Sequence, residues 1–110
     1  MDIHITARHF RAHETLREYA HESLKKLERY YSGIITAAMV LSFEKAVNST
    51  KVAELHITVN GTVLKALVKS DDFVKSIDAV VQKTERQILK YKSKQREKKK
   101  AVIREKQAKV

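Results

Sequence analysis

The feature that most constrains the fold is a pair of alternating segments joined by Asn60-Gly61. Apolar side chains recur at every second position in residues 51–59 and again in residues 62–68, a pattern typical of strands with one buried face. A two-residue type I′ turn needs positive φ at both positions, which Asn and Gly tolerate, so the sequence predicts an antiparallel hairpin. The turn predicts this register: Val59 opposite Thr62, Ile57 opposite Leu64, Leu55 opposite Ala66 and Ala53 opposite Val68.

Three more patterned segments precede the hairpin. Residues 3–7 and 35–44 alternate as strands do, with Val40 as the one mismatch. The longer segment is predicted to place its apolar side chains on one face: Ile35, Ala37, Met39, Leu41 and Phe43. In residues 15–31 the apolar positions recur at three- and four-residue intervals, which predicts an amphipathic helix.

The ends of the helices are predicted from capping residues. Thr15 with Glu18 fits a capping box, although the start could lie at His13 instead, and Gly33 supplies a stop. Residues 70–72, Ser-Asp-Asp, end the last strand and offer both an N-cap and acidic charge to the positive end of a second helix.

The second helix has a clear buried stripe and a less patterned continuation. Its predicted core residues are Phe73, Ile77, Val80, Val81, Thr84, Ile88 and Tyr91. No Gly or Pro interrupts residues 73–110, but residues 96–110 lack a core pattern and are either a frayed helical extension or a disordered arm. We therefore expect a domain at 1–95 and a basic tail at 96–110.

The order of elements predicts an α+β fold, β-α-β-β-β-α. The first two strands pair in parallel through a right-handed helical crossover, and two antiparallel pairings follow. This arrangement is a two-layer sandwich in which both helices cover one face of a four-stranded sheet, as in folds similar to double-stranded-RNA-binding domains.

Positive charge is concentrated in the last third of the chain. Residues 1–72 carry ten Lys or Arg against nine Asp or Glu, whereas residues 73–110 carry thirteen against four. A nearly neutral body with one strongly basic element is typical of a protein that meets a polyanion along one surface. The alternative is a solvated basic tail that only aids solubility.

The basic residues of the second helix share a face. At 100° per residue, four cations fall within about 80° of one another, away from the buried stripe. These four are Lys83, Arg86, Lys90 and Lys94. Such a row can follow a phosphate backbone and release its counterions without reading sequence, which favours RNA recognised by shape. The alternative is a solvated helix face with Glu85 and Glu97 as charge partners.

Catalysis and metal binding find little support in the sequence. There is no Cys, no Gly-rich phosphate loop and no GxSxG or HExxH motif, so we predict no enzyme, no cofactor and no small-molecule substrate. His9 and His13 lie four apart, but no third ligand follows at a metal-site spacing. Surface or RNA-contacting histidines are favoured over a metal site.

The cellular compartment is predicted from three features that the sequence lacks: cysteine, a signal-peptide pattern and a long apolar run. The absence of Cys fits a reducing environment. The first residues do not form a signal-peptide pattern, and no apolar run reaches the length of a membrane span. We expect a soluble cytoplasmic protein with no membrane partner.

Several segments resemble the ribosome hibernation promoting factors and ribosome-associated translation inhibitors of bacteria and plastids. The first strand and its basic exit, residues 3–9 (IHITARH), and the helical pieces at 16–19 (LREY) and 27–31 (LERYY) are similar to that family. The most specific stretch is residues 70–94, SDDFVKSIDAVVQKTERQILKYKSK. The resemblance covers about residues 1–95, as in a short-form member or a long one cut at its linker.

The resemblance implies the same two-layer fold and a binding site on the small ribosomal subunit, on its 16S-type rRNA, where messenger and transfer RNA would otherwise lie. It implies a factor that silences ribosomes under stress or in stationary phase. Carried over position by position, the RNA contacts would be Arg8, His9, Lys25, Arg29, Lys83, Arg86, Lys90, Lys92 and Lys94. Two alternatives remain at this point: a general structured-RNA-binding protein, and a protein-interaction module that modulates transcription.

Overall fold

A computed structural model describes the backbone of residues 1–44 and 49–108, and the side chains of residues 1–44 and 49–97. The elements are β1 (Asp2–Ala7), α1 (Glu14–Lys25), a 3₁₀ helix (Lys26–Arg29), β2 (Thr36–Glu44), β3 (Thr50–Val59), β4 (Thr62–Ser70) and α2 (Phe73–Ala108). The sheet order is β1-β2-β3-β4, with β1 parallel to β2 and the other pairs antiparallel. The predicted α+β fold is confirmed.

The core lies between one face of the sheet and the two helices. Its fully buried large side chains are Leu24, Leu27, Met39, Leu41, Leu55, Ile57, Val59, Ile77, Val80 and Ile88. They form a single cluster, so both helices cover the same face of the sheet. Burying each such side chain contributes about 1.5–3 kcal/mol. The predicted stripe of α2 is confirmed, with Phe73 and Tyr91 half-buried at its two ends.

The hairpin has the predicted register but a different turn. Val59 pairs with Thr62, and the pairing continues as predicted to Ala53 and Val68. Gly61 has φ +74°, whereas Asn60 does not adopt positive φ, so the type I′ assignment is wrong. A left-handed residue at only the second turn position is the pattern of a type II turn, which demands Gly there and leaves the first position unrestricted.

The first helix begins one residue before the predicted capping box. Its N-cap is His13, in extended conformation, and that residue makes no capping hydrogen bond through its side chain. The capping box at Thr15 and Glu18 is therefore wrong, and the alternative start at His13 is the one observed. After Lys25 the helix tightens into the 3₁₀ turn that ends at Arg29.

Gly33 does not end the helix: α1 ends at Lys25 and the 3₁₀ helix ends at Arg29, four residues before Gly33. A Cβ atom at this position would lie 2.6 Å from the ring of Tyr31. That ring also meets Tyr91 of α2 edge-on, with the centroids 5.7 Å apart. Glycine here leaves room for the Tyr31 ring, which a larger residue would have to displace from its contact with α2.

The core covers only the middle of β2. Ile35 was predicted to face inward, but it lies before the strand begins and is 54% exposed, while Ile34 is buried instead. Phe43, at the other end of the strand, is 42% exposed. The prediction is wrong for Ile35 alone. Phe43 keeps the predicted face by alternation with Met39 and Leu41, and its exposure places it at the margin of the core.

The start of α2 is attached to the sheet through two serines. The buried hydroxyl of Ser76 donates to the Lys51 carbonyl at 2.9 Å and shares a 2.6 Å hydrogen bond with Ser70. The Ser70 hydroxyl also accepts a hydrogen bond from the Asp72 amide at 3.3 Å. The predicted capping segment therefore orders the strand-to-helix turn and fixes the helix against β3.

The backbone conformation of the turn can be tested directly. Replacing Gly61 with Val places a β-branched side chain at φ +74°, and we expect it to lower the free energy of unfolding by more than about 1 kcal/mol. Asn60→Ala is the matched control, expected within about 0.5 kcal/mol because Asn60 needs no left-handed backbone. Urea unfolding of both variants measures this. Equal losses in the two would support a type I′ turn and contradict the observed one.

Candidate RNA-binding surface

The basic strip of α2 lies along the edge of the sheet formed by β4. We use "basic strip" for the four exposed cations Lys83, Arg86, Lys90 and Lys94. Lys83 donates to the Leu67 carbonyl at 3.5 Å, and Gln87, beside the strip, donates to the Lys65 carbonyl at 2.8 Å. These contacts satisfy carbonyls on the open edge of β4. They also fix the rotation of α2, so the strip points outward past that edge.

The strip carries charge that no carboxylate compensates within residues 1–44 and 49–97. The side-chain cations that form ion pairs with Asp or Glu in this part of the chain are Lys25, Lys69 and Lys75. Glu85 and Glu97, the alternative charge partners, make no ion pair with the strip in this same region. An exposed row of unpaired cations at one helical spacing is suited to bind successive phosphates.

A shallow groove continues the strip toward the hairpin. It has a volume of about 380 Å³ and lies between the start of β4 and α2. Its lining residues are Thr62, Leu64, Gln87, Lys90, Tyr91, Lys94 and Gln95. Two strip cations therefore flank a concave surface that also offers amide and hydroxyl groups to a polar ligand.

Lys92 belongs to a different part of the structure. Its ammonium donates to the Tyr30 carbonyl at 2.7 Å, at the end of the 3₁₀ helix. This hydrogen bond satisfies a carbonyl group at the C-terminal end of the 3₁₀ helix, where the negative end of the helix dipole favours a cation. Lys92 faces the first helix rather than the strip, so its hydrogen bond connects α2 to the end of the 3₁₀ helix and stabilises the fold.

The two predicted contacts from the first helix are also apart from the strip. Lys25 lines a groove with residues 1–4, at the β1 edge, and lies 3.9 Å from Glu22. Arg29 is the exposed last residue of the 3₁₀ helix, where residues three apart eclipse, so it lies on the side of Lys26. Since β1 and β4 are opposite edges of the sheet, Lys25 and the strip occupy opposite flanks of the helical layer.

The groove between the helices contains a cation that the sequence analysis missed. Lys26 lines it together with Asp78 and Glu85. Tyr19 donates to Asp78 across the same interface at 2.5 Å, and this hydrogen bond to a carboxylate raises the pKa of Tyr19. In the 3₁₀ turn residues three apart eclipse, so Lys26 and Arg29 lie closer in angle than the roughly 60° of an α-helix.

Arg8 and His9 lie at the end of the sheet where β1 and β2 finish. The Arg8 amide donates to the Leu41 carbonyl at 2.9 Å, which extends the parallel pairing by one residue. His9 follows with φ +65°, the single left-handed non-glycine residue in the described chain. Both side chains are exposed. The nine predicted contacts thus divide among the strip, the first helix, the end of the sheet and Lys92.

The described residues contain no group of three or more His, Asp or Glu side chains placed to hold a metal ion. His9 is the left-handed residue after β1, and His13 is the N-cap residue of α1. In the same part of the chain, no helix is both long enough and apolar enough to cross a membrane.

The fold and the strip define a class: a small α+β domain with one uncompensated cationic flank. The family described as "Sigma 54 modulation protein / S30EA ribosomal protein" matches residues 3–96, and the chain belongs to this family. It is 35% identical over 94 residues to the ribosome hibernation promoting factor of Escherichia coli (strain K12), covering 86% of this chain and 96% of that protein.

Other relatives and structures agree with this placement. The ribosome hibernation promotion factor of Staphylococcus aureus (strain COL) is 32% identical over 80 residues, which are 73% of this chain and 42% of that longer protein. A ribosomal subunit interface protein from Coxiella burnetii has a TM-score of 0.77 at 25% identity, covering 84% and 99% of the two chains. The N-terminal domain of Thermus thermophilus Protein Y has a TM-score of 0.72 at 25% identity, covering 83% and 99%.

One pair of variants can separate the stabilising hydrogen bond of Lys92 from the effect of losing one positive charge. Lys92→Met removes the bond to the Tyr30 carbonyl and is expected to cost about 1 kcal/mol of unfolding free energy. Lys94→Met makes the same change two residues later on the strip and should stay within about 0.5 kcal/mol. Thermal and urea unfolding provide the comparison. Equal stability of the two variants would show that the Lys92 hydrogen bond does not stabilise the fold.

Proposed function

We propose that this protein is a ribosome hibernation factor that binds the small ribosomal subunit in the path of messenger and transfer RNA. Occupying that path represses translation under stress or in stationary phase. The role needs tight and reversible binding to rRNA and no chemical step, so we propose that the protein is not an enzyme. We also propose that it acts in the cytoplasm.

The observation that carries the proposal is the unpaired basic strip at the β4 edge. Four exposed cations on three turns of one helix can contact phosphates on a curved RNA backbone, and Arg86 can hold one phosphate in a bidentate manner. Phosphate contacts of this kind position a protein on RNA without reading bases. A structured RNA with closely spaced backbones, such as rRNA, is the ligand that best matches such a surface.

The names of the relatives support the same role. The E. coli and S. aureus proteins are named for ribosome hibernation, and the C. burnetii structure is titled a ribosomal subunit interface protein. Within the family, a general structured-RNA chaperone or a transcription-modulating module is not favoured by these relatives. We propose Arg8, His9, Lys25 and Arg29 as further rRNA contacts outside the strip.

Competition with messenger RNA tests the function most simply. The protein should co-sediment with purified small subunits, and a saturating messenger RNA should displace it. A general RNA-binding protein would bind subunits with and without messenger RNA. A protein-interaction module would not sediment with subunits at all. Either result would contradict the proposal.

The strip predicts how binding responds to salt and to charge reversal. About six phosphate contacts give log K a slope of about −4 to −5 against log salt. Reversing Arg86 and Lys90 to Glu should abolish binding at moderate salt, while the free energy of unfolding stays within about 0.5 kcal/mol because both side chains are exposed.

Lys65→Glu serves as the charge-matched control for single reversals at Arg86. Lys65 is exposed on the face of the sheet opposite the helices, so its reversal should leave most of the affinity. Equal losses for Arg86→Glu and Lys65→Glu would show that net charge, rather than the strip, controls binding. Unfolding of the double variant would show that the strip is not a free surface.

The tail is proposed as a secondary contact. Deleting residues 96–110 removes seven Lys or Arg and two Glu, but only three large apolar residues, Val102, Ile103 and Val110. The melting temperature should hardly change, since so few apolar groups cannot stabilise the core. Affinity for small subunits should fall while competition with messenger RNA persists. Complete loss of binding by a folded truncated protein would move the site from the strip to the tail.

A further inference from the structure

All three phenylalanines of the chain meet at the end of the sheet where β1 and β2 finish. The rings of Phe10 and Phe73 stack with their centroids 5.2 Å apart. Phe43 meets both of them edge-on, at 4.8 Å from Phe10 and 5.2 Å from Phe73. The cluster joins three segments that are distant in the sequence: the exit of β1, the end of β2 and the first residue of α2.

The cluster is not a closed part of the core. Phe10 and Phe73 are half-buried, whereas Phe43 is 42% exposed. Phe43 lies on the core side of β2 by alternation with Met39 and Leu41, which are fully buried. Its exposure therefore marks the point where the helical cover ends and a large aromatic surface is left to solvent.

A cation is held against this aromatic surface. The Lys51 ammonium lies 5.6 Å from the centroid of the Phe43 ring. Two hydrogen bonds fix it, to the Ser49 carbonyl at 2.8 Å and to the Ser49 hydroxyl at 3.1 Å. The ammonium lies over one face of the ring, so a base can contact the remaining exposed surface of Phe43 while its phosphate meets the cation.

The patch continues into a predicted RNA contact. Arg8 and His9 immediately precede Phe10, and the left-handed backbone of His9 turns the chain so that Phe10 reaches Phe43. A histidine at positive φ is uncommon, and such conformations concentrate where a structure positions a functional group. Two cationic or polar side chains and the exposed ring are thus presented together at this end of the domain.

We propose that Phe43 and Lys51 form a contact for an unpaired nucleotide of the small-subunit rRNA. The base packs against the exposed part of the Phe43 ring, and Lys51 binds an adjacent phosphate. Unpaired bases favour such platforms because every base has a π-face, whereas the faces of paired bases are stacked inside a helix. This inference rests on the proposed ribosome-binding function and adds an aromatic contact to a surface otherwise built from charge.

Three variants measured on intact small subunits test the proposal. Phe43→Leu should weaken binding at least about fivefold, the loss expected for one base-stacking contact, and should leave the slope against salt unchanged because no charge is removed. Phe43→Tyr retains the ring and should restore affinity. Lys51→Met should reduce the magnitude of the slope by about 1. Val63→Ala, an exposed apolar change on the same sheet, is the control and should bind normally.

Chemical probing of the rRNA supplies a direct signal. Bound wild-type protein should protect an unpaired base that becomes reactive again with Phe43→Leu, while the other protections persist. Melting of each variant verifies that it is folded at the assay temperature. Normal binding by folded Phe43→Leu would overturn this inference and leave the proposed function intact, whereas failure of the wild-type protein to bind subunits would overturn the function itself.

The same variants distinguish an RNA contact from a protein contact. Protein-free small-subunit rRNA is the second probe. If Phe43→Leu lowers affinity for intact subunits but not for the bare rRNA, the ring contacts a ribosomal protein and the nucleotide proposal is wrong. Parallel losses on both probes support it.

Discussion

The docking of α2 on the sheet is the constraint on which the rest of the structure depends. Its stripe of Ile77, Val80, Thr84 and Ile88 is buried almost completely, and the hydrogen bond from Ser76 to the Lys51 carbonyl fixes its first turn. A helix held along one stripe has no rotational freedom, because turning it by one residue, 100°, would bring charged side chains into the core. The direction of the basic strip is therefore a consequence of core packing.

This arrangement puts the proposed binding surface and the stabilising core contacts on separate sides of one helix. The strip residues lie in water, where their mutual repulsion is screened within about 10 Å at ordinary ionic strength. The side chains that hold the fold together are apolar or bonded to backbone, as Thr84 is to the Val80 carbonyl. Two predicted contacts depart from this separation. Lys83 donates to the Leu67 carbonyl of β4, and the Lys92 ammonium joins α2 to the end of the 3₁₀ helix. A cation on this helix can thus serve the fold or the ligand according to its angle around the axis.

The sequence could predict the structural features that repeat with a regular period along the chain. The hairpin register and the stripe of α2 follow from alternation and helical spacing, and both are confirmed. The features that were wrong or missed depend on tertiary contacts. Gly33 is explained only by the ring of Tyr31, and the bond of Lys92 spans 62 residues. The strip was predictable for the same periodic reason, whereas the Phe10–Phe43–Phe73 cluster unites three segments that share no local pattern.

The most direct measurement is site-directed hydroxyl-radical probing of small-subunit rRNA. The chain has no Cys, so a single cysteine can carry the iron chelate at one chosen place. Ser93→Cys places it at an exposed position beside the strip. Thr58→Cys places it on the central strand β3, on the face of the sheet opposite the helices and at the end away from Arg8 and His9. We expect strong rRNA cleavage from position 93 that messenger RNA suppresses, with weak cleavage from position 58, whereas strong cleavage from position 58 and none from position 93 would contradict this orientation.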